Sequence, residues 1–267
     1  MTETALRRSG PGELRLGVVL VAAAAGAWAL TAGRVGGMDA GPGADLGSLG
    51  WFALSLVVMM AAMMLPALAP MLVAYERRAS RASRAGRADS VATFAAGYYA
   101  AWLAAGLLAY AVIKGVRSLG PGFLAWDEAG RYVAAAVIAG AGLYQLTALK
   151  GACLRACTER AAFIAERWRP GRIGALRMGL EHGGWCVGCS WALMAALFAL
   201  GAMSLTWMAL VTVLVAGERT LPRPARLGVA AVLVALGLWV ALAPGAVPGL
   251  TVPDSSSGPM GGAMRMR

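Results

Sequence analysis

Long uncharged apolar runs, separated by short arginine-rich segments, are the dominant pattern of this chain. The runs are Leu16 to Ala32, Trp51 to Tyr75, Val91 to Ile113, Tyr132 to Leu149, Trp185 to Ala216 and Leu227 to Ala243. Each reaches or approaches the roughly 20 residues a helix needs to cross a bilayer. Trp185 to Ala216 is longer than that. As one helix its 32 residues extend roughly 48 Å, against about 30 Å of hydrocarbon, so a hairpin turning near Gly201 to Ser204 is predicted. The pattern predicts an all-α, polytopic transmembrane helix bundle of about seven spans, with six as the alternative count.

Local signals refine the elements. Trp51 and Tyr75 suit the two membrane interfaces, and Pro66 and Pro70 predict a kink near the inner end of that span. Gly97, Ala101, Ala105 and Ala109 recur every fourth residue, a stripe of small side chains that lets another helix approach closely. The segment Lys150 to Arg177 is the longest polar stretch. It is predicted to continue the preceding helix through Cys153, Cys157 and Phe163 and to break near Pro170 and Gly171. The organisation expected is a cytoplasmic N-terminus (1–15), one membrane domain (16–243) and a disordered extracytoplasmic tail (244–267) rich in Pro, Gly and Ser.

Composition agrees with that picture: 59% of the 267 residues are hydrophobic and only 14% are charged, where soluble domains run near a quarter charged. The net charge of +11 does not indicate nucleic acid, because the basic residues sit in short loops between apolar runs. With the N-terminus inside, eighteen of the 24 basic residues fall in cytoplasmic segments, as the positive-inside rule requires. Such loops also lie readily on anionic lipid.

Candidate chemistry is concentrated in EHGGWCVGCSWALM (181–194), which holds the only histidine, His182, with Cys186 and Cys189. On a helix these three fall within roughly 60° of one another at about 100° per residue. Cys153 and Cys157 form a second pair one helical turn apart. An imidazole and four thiols at one membrane face are soft-metal ligands, suited to Cu(I) and also to Zn(II). Cysteines facing the cytoplasm stay reduced, so structural disulfides are not expected. Glu181 is a further ligand candidate, a partner to a ligand, or a solvated charge. Met59, Met60, Met63 and Met64 stack at i+4 spacing. Thioethers bind Cu(I) without deprotonation, so the quartet is a candidate relay or second site near mid-membrane. Met194, Met203 and Met208 read as packing, and Met260, Met264 and Met266 as part of a plain tail.

The competing readings are specific. Buried cysteines are often only small apolar side chains, and methionines fill irregular helix contacts, which would make the protein a scaffold or assembly subunit. Cys186-x2-Cys189 is also the spacing of a thiol oxidoreductase. No hydrolase, phosphate-binding or zinc-protease motif is present, and the scarcity of ionisable residues in the runs does not support a proton-relay transporter.

The pieces MMAAMMLPALAPML (59–72), GLYQLTALKGACLRAC (142–157), GALRMGLEHGGWCVGCSWALM (174–194), GAMSLTWM (201–208) and GER (217–219) together resemble a bacterial family of predicted metal-binding integral membrane proteins. The resemblance covers most of residues 51–219, and departs where Ser190 stands in place of a second cysteine. It implies metal binding, with some members labelled copper chaperones, and it carries over onto Met63, Met64, Pro66, Lys150, Cys153, Cys157, His182, Cys186 and Cys189. The expectation is a multi-pass protein of the bacterial inner membrane. It would hold Cu(I), with zinc as the alternative, and pass it to a membrane or periplasmic metalloprotein recipient.

Overall fold

A computed structural model describes residues 11–35, 47–82, 87–119, 130–201, 204–220 and 225–246. Among them lie nine α-helices and no strand. They are α1 (Pro11–Val35), α2 (Leu49–Ala82), α3 (Arg87–Leu119), α4 (Arg131–Tyr144), α5 (Ala148–Thr158), α6 (Arg160–Arg167), α7 (Gly171–Gly201), α8 (Leu205–Thr220) and α9 (Ala225–Leu242). The all-α expectation holds. The tail methionines and Met203 lie outside the described residues.

The span count differs from the sequence reading. By length and composition four described helices can cross a membrane: the apolar parts of α1 (Leu14–Gly33), α2 (Leu49–Ser80), α3 (Asp89–Val116) and α7 (Gly171–Leu200). A fifth follows if the pair α4 and α5, bent by 66°, counts as one span. The reason is length. The 16 residues of α8 extend about 24 Å and the 18 of α9 about 27 Å, against roughly 30 Å of hydrocarbon.

The fourth apolar run breaks at Gln145 to Thr147, inside what the sequence reads as one span. Three i to i+3 backbone bonds tighten the chain at Gln145, Leu146 and Thr147. Thr147 then adopts an extended backbone, and its side chain accepts from the Lys150 amide at 3.2 Å. That is an N-cap, so α5 starts as a new helix in a new direction. The polar stretch is also not one helix through Phe163: Glu159, at φ −81° and ψ 63°, separates α5 from α6. The predicted break near Pro170 is present. Gly171 begins α7 at φ +80°, a backbone conformation that favours glycine. Further on, α7 ends at Gly201 and α8 begins at Leu205, where the sequence calls for a turn. α2 runs through Pro66 and Pro70 as one helix of 34 residues.

α7 packs against α3, α4, α5 and α8, while α9 packs on α4 and α1 on α2. The α3–α7 crossing is close because of glycine. A Cβ at Gly97 would strike the Leu176 carbonyl oxygen, and one at Gly179 the Phe94 carbonyl oxygen. A Cβ at Gly183 would lie 2.8 Å from both the Ala101 methyl and the Tyr98 carbonyl oxygen. The small-residue stripe of the third run, through Gly97 and Ala101, is thus part of the surface on which α7 docks.

Polarity is distributed inside out. Val18, Val21, Leu108, Leu143, Val213 and Leu242 face outward, whereas Lys150, Glu218, His182, Gln145 and Ser190 are buried. Outward apolar side chains on helices of bilayer length suit lipid chains as solvent; inside, Lys150 pairs with Glu218, while the side chains of His182 and Gln145 have no hydrogen-bond partner.

Candidate metal centre

Cys186 and Cys189 sit midway along α7, about 22 Å of helix from Gly171. The apolar run begins at Trp185 but the helix does not, because the charged stretch before it is itself helical. The one-turn spacing aims both thiols to one side, toward α5. From α5 comes Cys157. The ligand atoms of Cys157, Cys186 and Cys189 all lie within 4.8 Å of one another, and all three residues are buried. The sulfurs of Cys157 and Cys189 are 3.7 Å apart. All four cysteines are free thiols.

The remaining predicted ligands fall around this trio. Cys153, also buried, is outside the group; its Sγ lies 2.8 Å from where a Cβ on Gly188 would stand. The missing side chain at Gly188 therefore leaves room for that sulfur beside α7. His182 is buried but does not join the group. Met59, Met60, Met63 and Met64 are all buried on α2, at 8%, 1%, 1% and 0% exposure. Met194 and Met208 are buried as well, in keeping with packing. Glu181 turns away and pairs with Arg167 at 3.1 Å and Arg169 at 3.6 Å, all three partly exposed. It is a solvated charge of the α6–α7 junction, and such pairs contribute little. Ser190 Oγ, where the resemblance expects a sulfur, is 3.4 Å from Cys189 Sγ.

Apart from Lys150, which the resemblance carries over, the sequence reading missed the electrostatic frame. Arg219, near the end of α8, donates from Nη2 to Cys186 Sγ at 2.9 Å and from Nη1 to the Ala67 carbonyl at 3.2 Å. Its guanidinium joins the thiol cluster to α2 between the two prolines. A guanidinium can only donate, so the Cys186 sulfur accepts, and the Tyr98 hydroxyl stands 3.0 Å from the same sulfur. Beside it, Lys150 Nζ pairs with Glu218 Oε2 at 2.6 Å and also donates to the Cys189 carbonyl. Tyr144 donates to the Gly188 carbonyl at 2.7 Å. These bonds tie α4, α5 and α8 to the same turn of α7. A signal existed: an isolated Lys150 and the Glu218–Arg219 pair at the ends of apolar runs are the kind of ionisable residues that mark function inside helical cores.

The donor set suits a soft ion. Three sulfurs at about 2.3 Å from a common ion would be about 4.0 Å apart; Cys157 and Cys189 are 3.7 Å apart, and no pair of the three exceeds 4.8 Å. Thiolates select Cu(I) or Zn(II) over hard cations. A fixed positive charge at Cys186 offsets the negative charge that thiolates gather around an ion.

A predominantly apolar helical protein with three converging buried sulfurs defines a class, that of helical proteins fitted to bind a soft metal. A family profile described as copper chaperone, PpoB2, matches residues 53–242. The match spans more than half of the chain and every cysteine, and the chain belongs to that family. No curated protein and no solved structure matches it.

Proposed function

We propose that this protein is an integral membrane copper chaperone that binds Cu(I) at Cys157, Cys186 and Cys189 and hands it to a metalloprotein. The observation that carries the reading is the convergence of three buried sulfurs from two helices, with Arg219 supplying the compensating charge. Thiolate exchange on Cu(I) needs neither a change of oxidation state nor a hard ligand. Cys153, one turn before Cys157, is a flanking thiol for the incoming or leaving ion. Met59, Met60, Met63 and Met64 supply neutral donors on α2, a relay or second site alongside. Zinc fits the same three thiols and is the competing cargo.

The membrane setting is supported by the outward apolar side chains and the helices long enough to span. Basic-residue placement supports an N-terminus in the cytoplasm of a bacterial cell and a multi-pass position in its inner membrane. The recipient is then a membrane or periplasmic metalloprotein.

The test is metal content by mass spectrometry on protein purified in mild detergent under reducing conditions and loaded with equimolar Cu(I) and Zn(II). Wild type should retain stoichiometric copper, and Cys157→Ser/Cys186→Ser/Cys189→Ser should lose the thiol-bound ion. Equal metal in both chains would refute the reading. A thiol oxidoreductase reading has one observation in its favour, the Arg219 guanidinium on Cys186, since reactive cysteines sit beside positive charge. It requires a Cys186–Cys189 disulfide under mild oxidation, detectable by peptide mapping.

A further inference from the structure

The thiol cluster leaves His182 without a task. The residue is 1% exposed, and neither Nδ1 nor Nε2 has a hydrogen-bond partner. Its ring is surrounded by those of Phe163, Tyr98 and Phe94, with centroids 5.4, 6.0 and 6.1 Å away. The one hydroxyl among them, on Tyr98, is 3.0 Å from Cys186 Sγ instead. A neutral imidazole offers one donor and one acceptor. Leaving both unsatisfied in a packed core is costly, and native structures rarely do so without a reason.

The neighbours along α7 suggest the reason. Met178 lies four residues before His182 and is fully buried, and Cys186 lies four residues after. Steps of four return to nearly the same face and advance about 6 Å along the axis. One stripe of α7 therefore presents a thioether, an imidazole and then the thiols. Imidazole and thioether are both neutral ligands for Cu(I). Here neither imidazole lone pair nor N–H is spent on another group.

We propose that His182 and Met178 form a second Cu(I) station, separate from the thiols and one helical turn from them, through which the ion reaches or leaves the cluster. The transit role rests on the copper reading of the three cysteines; the station itself does not. The ion exchanges ligands and keeps its oxidation state, and the station's neutral donors release no proton.

The experiment is anaerobic competition for Cu(I) against a chromophoric chelator, on full-length protein in detergent. It is paired with copper K-edge absorption to identify the ligand atoms. Three variants are needed: Cys157→Ser/Cys186→Ser/Cys189→Ser, the same chain with Met178→Leu added, and His182→Phe in the wild-type background. Phenylalanine suits the aromatic surroundings of that ring. The triple-serine chain should keep one Cu(I) with a nitrogen ligand, and Met178→Leu should weaken it at least tenfold. In the wild-type background, His182→Phe should remove one ion and slow filling of the thiol site at least tenfold, leaving the thiol affinity unchanged. A folded triple-serine chain that binds no Cu(I) overturns the proposal. If that chain does not fold, His182→Phe decides alone, and unchanged stoichiometry with unchanged loading rate overturns it. Should wild type bind no more Cu(I) than the triple-serine chain, the three-thiol reading fails while the station stands.

Discussion

Replacing Glu218 by glutamine should destabilise this protein by about 3–5 kcal/mol, the usual cost of removing one partner from a buried ion pair. Lys150 Nζ and Glu218 Oε2 are 2.6 Å apart, with side-chain exposures of 0% and 2%. At an effective dielectric constant near 20, charges at that separation attract by about 6 kcal/mol. Much of that is offset by desolvating both groups, so the intact pair contributes far less than its attraction. Glu218→Gln removes the attraction and keeps the desolvation, leaving the ammonium with only neutral acceptors, the amide oxygen and the Cys189 carbonyl. Lys150→Met strands the carboxylate in the same way. The double variant strands neither, and should be more stable than either single variant. Thermal unfolding in detergent reads this directly. At roughly 2–4 °C per kcal/mol for a chain of this size, each single variant should melt about 10 °C lower. The coupling from the four-member cycle should be about 3 kcal/mol. Since Lys150 precedes Cys157 on α5 and Glu218 precedes Arg219 on α8, the single variants should also weaken Cu(I) binding. A Glu218→Gln protein within about 0.5 kcal/mol of wild type, or a double variant as unstable as the sum of the singles, would refute the reasoning.

Three further outcomes are expected. Gly179→Val drives a side chain into the Phe94 carbonyl and should prevent stable α3–α7 packing, whereas Gly184→Ala, which faces open space, should be neutral or stabilising by up to about 1 kcal/mol; melting temperatures separate the two. Arg219→Gln should lower Cu(I) affinity at least tenfold in chelator competition, and Arg219→Lys should not restore it, because one ammonium does not reproduce the fork that joins Cys186 to Ala67. Cys153→Ala should leave Cu(I) affinity within about threefold of wild type, since its sulfur lies outside the trio, while Cys157→Ala should reduce it at least tenfold.

Much of the site could be read from spacing alone. The one-turn separation of Cys186 and Cys189 is a property of a single helix, so their shared face follows from the sequence. The inclusion of Cys157 is a different kind of fact. It depends on the break at Gln145–Thr147, which turns α5 so that its thiol meets α7. The sequence does not announce that break, because Gln145 and Thr147 are its only polar positions there and neither is a helix breaker. The cap made by the Thr147 hydroxyl is a local hydrogen bond with no hydrophobic periodicity to announce it. Cys153, one turn from Cys157 and equally cysteine, lies outside the trio, a distinction that sequence spacing does not make.

The same contrast holds for charge. Lys150, Glu218 and Arg219 read as loop residues when runs of apolar side chains are taken as the spans, but α8 continues past Ala216 to Thr220 and carries the last two to Lys150 and the thiols. By itself, the sequence determined the all-helical class, the apolar exterior and the soft-ligand chemistry, because these depend on composition and on periodicity within a helix. It also determined a close-packing stripe through Gly97 and Ala101, since small side chains four apart leave a groove whatever fills it. Only the tertiary structure decided which thiols meet, that a guanidinium completes their surroundings, and that the His182 ring is buried with both nitrogens unpartnered. Those are contacts between residues 32 to 88 positions apart, or the lack of them. Contacts at such separations follow from helix breaks and crossing glycines, not from any repeat along the chain.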